Sequence, residues 1–163
     1  RVAIEVGSVI LAAERAQPTD LDALDVLVAR MGDVGEFEPY RRADIRFHIG
    51  VAEASHSPHL VTEMTEVQGE MSGLITRIAH PEEVLTQSNA QHAEIVGNLR
   101  KRDAAAAVAL MRSHIRGTEH ILAGVSDRFQ ARLRERSVRY RKWQLRYDDI
   151  RERLAFHVDA LPE

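Results

Sequence analysis

The stretch RRADIRFHIG, residues 41–50, sets an aspartate and a histidine four residues apart among apolar neighbours. On an α-helix residues four apart lie one turn above each other, so Asp44 and His48 point the same way. Tyr40, Phe47 and Val51 share that sector, and such a sector faces a core. A carboxylate and an imidazole turned inward cost free energy unless something satisfies them. What satisfies them depends on what the rest of the chain brings to the same place.

The rest of the chain reads as helix. Residues 1–15 space Val2, Ile4/Val6, Val9, Ile10 and Ala13 at helical intervals. A second helix follows, with Thr19 as its expected N-cap, Leu21, Leu24, Val28 and Met31 as its apolar stripe, and Gly32 as its stop. The third spans about Phe37 to Ala54, and Pro58 suits the first turn of a fourth that could reach Ile78. SNAQ at 88–91 has the form of a capping box for a fifth helix through Leu99. Asp103 would cap a sixth, running to Gly124. No segment of useful length alternates with strand period, so the spacing predicts an all-α protein, an antiparallel bundle of about six helices.

Beyond Gly124 the pattern changes. Positions 129, 133, 136, 140, 143, 147, 150, 154, 157 and 161 form a heptad-like seam that includes Tyr140, Trp143, Tyr147 and Ile150, with Arg136 and His157 interrupting it. A long C-terminal helical tail over 125–163 is expected, packed either on its own bundle or on a second subunit. Charge divides at the same place. Residues 125–163 carry ten basic and seven acidic side chains, a net of +3, leaving 12 basic and 18 acidic, a net of −6, for residues 1–124. An acidic body is poorly suited to direct nucleic-acid binding. No cysteine is present, which excludes disulfides and thiolate metal sites and fits a cytoplasmic setting. No apolar run approaches the roughly 20 residues of a membrane helix, so no membrane role is expected.

Of the eight histidines, His56, His59 and His80 fall near helix ends, and His120 and His157 suit surface or partly packed positions. His92 and His114 resemble His48. His92 shares its sector with Ile95, Val96 and Leu99, and His114 aligns with Ala107, Met111 and Ile121. Three helices thus each turn a histidine inward, and one adds Asp44. Three neutral imidazoles and a carboxylate suit a divalent ion, Zn²⁺ first, with Ni²⁺, Mn²⁺ or Fe²⁺ also accommodated. The alternative is a hydrogen-bonded polar cluster inside the bundle.

Three stretches carry a family resemblance. RVAIEVGSVILAAERAQPTDLDAL has an Arg-x-x-x-Glu start followed by an Ala-rich helix junction. DIRFHIGVAEASHSPHL follows a D-x-x-F-H-x-x-I-A-x-A-S-x-N-P-x-L pattern, and HAEIVGNLRKRDAAAAVALMRSHI one that starts with His and ends M-x-x-H-I. Over residues 1–124 the chain resembles the FCD domain, the C-terminal effector-binding domain of FadR-subfamily GntR transcription regulators. Ser57 and Asn98 depart from the pattern, and the tail is longer than the usual ending.

The resemblance implies a homodimeric sensor rather than an enzyme. It would hold a divalent metal on Asp44, His48, His92 and His114, the residues that match the family's metal-binding branch. It would take a small organic-acid effector against that metal, with Arg1, matching the family's first-helix arginine, and Arg77 as candidate anchors. A winged helix-turn-helix domain expected upstream would carry DNA binding. The competing readings are a metal-dependent hydrolase or other metalloenzyme on the same bundle, with Glu53 or Glu94 recruited as base, and a purely structural dimerisation module.

Overall fold

The computed structural model describes residues 1–32, 37–75 and 81–134, without the side chains of 74–75 and 120–134. Among the described residues six helices and no strand are present: α1 (Val2–Arg15), α2 (Pro18–Met31), α3 (Phe37–Ala54), α4 (Pro58–Ile75), α5 (Glu82–Arg100) and α6 (Ala104–Arg134). The all-α bundle read from the spacing is therefore what forms. Residues Arg1–Leu122 make one compact unit. The expected tail seam through Tyr140, Trp143, Tyr147 and Ile150 lies outside the described residues, as does Arg77.

The helix α3 is the hub, packed against α1, α2 and α4. Its buried residues are Tyr40, Ala43, Phe47, His48, Val51, Ala52 and Ala54, a stripe spaced mostly by three and four. The stripe meets Val9, Ala12 and Ala13 of α1, Leu21 and Leu24 of α2, Ile95 and Leu99 of α5, and Ala107, Met111 and Ile115 of α6 in a single apolar cluster. Burying the Val, Leu, Ile, Phe and Met side chains among them stabilises by about 1.5–3 kcal/mol each before chain entropy is set against it. Gly50 lies where α2 and α3 approach, and a Cβ there would stand 2.9 Å from Leu24 Cδ2, so that side chain would have to shift.

Helix ends account for most differences from the sequence reading. The α2 helix begins at Pro18, not after Thr19. Proline's fixed φ suits the first helical position, and the Asp20 carboxylate accepts the Gln17 backbone N–H at 2.8 Å. Gly32 does end α2, in ordinary right-handed geometry. The fourth helix is described only to Ile75. The fifth starts at Glu82, well before SNAQ, with Glu82 and Glu83 complementing its N-terminal dipole. Asn89 lies mid-helix and spends its amide on an interhelix bond, Nδ2 donating to Val28 O at 3.1 Å. Asp103 caps α6 as expected, Oδ1 accepting from Ala106 N at 2.9 Å, but the helix runs past Gly124 to Arg134.

On α1 the buried face is Glu5, Val6, Ser8, Val9, Ala12 and Ala13, while Ile10 is 40% exposed. The stripe is rotated from the purely apolar reading, and it carries a carboxylate inward. The end of the same helix is tied by Arg102, whose guanidinium donates to Ala13 O (3.1 Å) and Ala16 O (2.7 Å). Arg102 has φ 60°, a left-handed conformation costing a non-glycine residue about 1 kcal/mol, which these two bonds offset.

Candidate metal centre

Four side chains from three helices converge. Asp44 and His48 leave α3 one turn apart, His92 leaves the middle of α5, and His114 leaves α6. Each offers one donor atom, and the four atoms all lie within 4.8 Å of one another. Asp44 Oδ1 is 3.4 Å from His92 Nε2 and 3.9 Å from His48 Nε2, and His92 Nε2 is 3.3 Å from His114 Nε2. Donors bound about 2.1 Å from one ion in a tetrahedral arrangement stand about 3.4 Å apart, so these separations fit a shared cation. All four ligands inferred from the sequence are thus brought to one place.

Burial decides their protonation. His48, His92 and His114 are 1%, 0% and 4% exposed. Burial, with its neighbours His114 and His48, drives His92 well below the ordinary imidazole range. Burial and His48 lower His114 to about 3. Both rings therefore keep a lone pair at neutral pH. Two bare Nε2 atoms 3.3 Å apart repel unless a proton or a cation lies between them, and His92 Nδ1 and His48 Nε2 are buried without a hydrogen-bond partner. The orphaned His48 Nε2 and the imidazole–carboxylate donor set fit a divalent ion such as Zn²⁺.

His48 differs from the other two. Burial lowers its affinity for a proton, but the Glu5 carboxylate and then Asp44 raise it further, leaving a net upward shift. Glu5 is fully buried, and its Oε2 lies 2.6 Å from His48 Nδ1, a short approach off the line of the ring N–H. Its Oε1 accepts from Arg1 Nε at 2.7 Å and, at 3.5 Å, from Gln68 Nε2 of α4. Burial alone would raise the Glu5 carboxyl, yet His48 and Arg1 overcome it and hold the group below the usual carboxylate range. Glu5 is the site residue that the apolar-stripe reading of α1 passes over. The signal was available, because Glu5 falls four before Val9 and seven before Ala12.

Arg1 also faces this region. Its Nη1 is buried without a hydrogen-bond partner, and its charge depresses all three imidazoles. The bases considered for an enzyme lie elsewhere. Glu53 pairs with Arg46 at the surface (2.7 and 3.1 Å), and Glu94 is exposed.

The sequence profile of the FCD domain matches residues 1–117, which include all four converging residues and Glu5. The chain belongs to the FCD domain family. The E. coli protein McbR/YncC has a similar fold, with a TM-score of 0.71 and 18% identity over 77% of this chain. The match spans 62% of that chain's length, and at this identity the likeness concerns the fold alone. No curated protein matches the chain by sequence. The FCD assignment accords with the resemblance carried by residues 1–124.

Proposed function

We propose that this FCD domain is the sensing half of a FadR-like GntR transcription regulator. It holds a divalent metal, zinc by preference, on Asp44, His48, His92 and His114, and binds a small organic acid against it. The observation that carries this reading is the convergence of four donor atoms within 4.8 Å, joined by a buried Arg1 nitrogen that has no hydrogen-bond partner and a charge felt by all three imidazoles.

A metal bound here supplies a positive charge and open coordination positions for a carboxylate oxygen. Arg1 Nη1 is a second donor for the same ligand, and guanidinium–carboxylate pairs of this kind are strong where water is excluded. His92 and His114 stay neutral and so add no proton competition of their own at neutral pH. Arg77 remains a proposed second anchor. Binding would bias a homodimer between two arrangements of an upstream winged-helix domain, through differential affinity for those arrangements. DNA contact would lie with that domain, in the cytoplasm, and no reaction is catalysed. A metalloenzyme is the second reading. The outward placement of Glu53 and Glu94 removes its two candidate bases.

Calorimetry with a panel of sugar acids and dicarboxylates, on metal-loaded and metal-free protein, tests the proposal. A ligand that binds the loaded form far more tightly, and is weakened by Arg1→Ala, is the expected result. Equal affinity with and without metal would separate the ion from recognition.

A further inference from the structure

Glu5 is a buried carboxylate whose neighbours, on three different elements, are all capable of donating hydrogen to it. Arg1 Nε and Gln68 Nε2 both address Oε1 (2.7 and 3.5 Å), and His48 Nδ1 lies against Oε2 (2.6 Å). On the far side of the same ring, His48 Nε2 faces Asp44 Oδ1 at 3.9 Å, within the cluster of donor atoms. We infer that Glu5 is the positioning residue of the metal centre: it holds the His48 proton on Nδ1 and so keeps Nε2 bare and aimed at the ion. Arg1 in turn orients Glu5, which joins the arginine proposed as effector anchor to one of the ligands.

The chemistry of the acceptor explains why a carboxylate stands here. An ionised carboxylate accepts on both oxygens and can serve Arg1, Gln68 and His48 together. A carboxamide of the same shape has one accepting oxygen and one NH₂. Arginine and the Gln68 amide nitrogen can only donate, whereas a neutral imidazole can move its proton to the other nitrogen. In Glu5→Gln the single carbonyl therefore goes to Arg1 and Gln68. The NH₂ turns to His48 Nδ1, which becomes the acceptor, and the ring proton moves to Nε2, where it blocks coordination. A carboxylate behind a ligating imidazole fixes tautomer and orientation, and its loss costs about ten- to hundredfold in metal affinity.

This inference rests on the metal reading, and the test separates the two. Zinc affinity by chelator competition, and the ¹⁵N–¹H imidazole spectrum, are measured on wild type and Glu5→Gln. Expected are zinc on Nε2 of His48 with a proton on Nδ1 in wild type, and zinc binding about ten- to hundredfold weaker in Glu5→Gln. A tightly binding wild type whose Glu5→Gln variant binds equally well would overturn the role of Glu5, and so would zinc on Nδ1. Should wild type take up no zinc, the metal reading fails and Glu5 is judged on the metal-free spectrum in alkaline buffer. A proton on Nδ1 there supports its positioning role, and one on Nε2 overturns it. The wild-type spectra decide the matter even if Glu5→Gln does not fold.

Discussion

The two walls of the candidate metal centre are built on different principles. The α1–α3 wall is charged and tied down: Arg1, Glu5, His48 and Asp44 form a line of alternating charge in which the central carboxylate meets a donor at each end. On the α5–α6 wall two imidazoles are set in apolar packing. His92 stacks against Phe47 with ring centroids 4.4 Å apart, next to Ile95, and His114 stands beside Met111 and Ile115. His92 Nδ1 has no hydrogen-bond partner. One wall is tied by ion pairs; the other keeps its rings neutral through burial. The α5–α6 wall thus adds no proton competition at neutral pH, whereas on the α1–α3 wall His48, shifted upward by Glu5, must give up a proton to an incoming ion.

Removing a ligand from the neutral wall should have the largest effect. His92→Ala or His114→Ala removes one of the four donors that would hold the ion. Zinc affinity should fall by more than the roughly hundredfold expected for loss of an outer partner, and the melting temperature should become insensitive to chelator. Calorimetry and thermal melts check this. Retained tight binding would mean that the α5–α6 wall is dispensable.

Chelation of the wild type comes next. Metal that binds only the folded chain stabilises it by about 4 kcal/mol at a thousandfold excess over Kd, so EDTA should lower the melting temperature measurably. A melt that does not respond would leave the two walls joined by packing alone.

The pH dependence of the metal-free protein sharpens the contrast. The unfolded chain protonates its histidines near 6.5, while His92 stays neutral far below that value and His114 down to about 3. Between these limits the unfolded state binds more protons, so stability falls as pH drops below about 6.5, with a limiting slope of about 2.7 kcal/mol per pH unit for two sites. His48 acts oppositely. Its raised folded value adds stability that is fully present below about 6.5 and is lost as pH rises through that folded value. Melts of His92→Gln beside wild type across this range should show a shallower slope in the variant.

The smallest effect should come from Arg46→Ala. Its pair with Glu53 has both side chains about half exposed, far from the donor cluster in character, and such pairs contribute about 0–1 kcal/mol. Zinc affinity should not change. A large loss of binding would extend the charged wall to the surface of α3.

Much of this was legible in the sequence, for a physical reason. A histidine inside an i, i+3, i+4 apolar pattern has to be buried, so His48, His92 and His114 could each be placed facing the core from their own helix, with Asp44 one turn from His48. Glu5 was harder to see. Its apolar company can be drawn through Ile4 and Ile10 as readily as through Val6 and Val9, and only tertiary packing selects the second face. Helix starts also misled. Ser88 and Asn89 have the chemistry of a cap, yet Asn89 serves a carbonyl on α2 from mid-helix, a use invisible without the neighbouring element. The heptad-like tail had a clear pattern, but a seam does not name the surface it covers.

The central claim is that three imidazoles and one carboxylate share a single ion. X-ray absorption of the zinc-loaded chain, beside the same measurement on a His48/His92/His114 triple alanine variant, tests it most directly. The account predicts a zinc shell of three imidazole nitrogens completed by oxygen in the wild type, and no stoichiometric zinc in the variant. A shell with one imidazole or none, or full zinc occupancy in the triple variant, would contradict it.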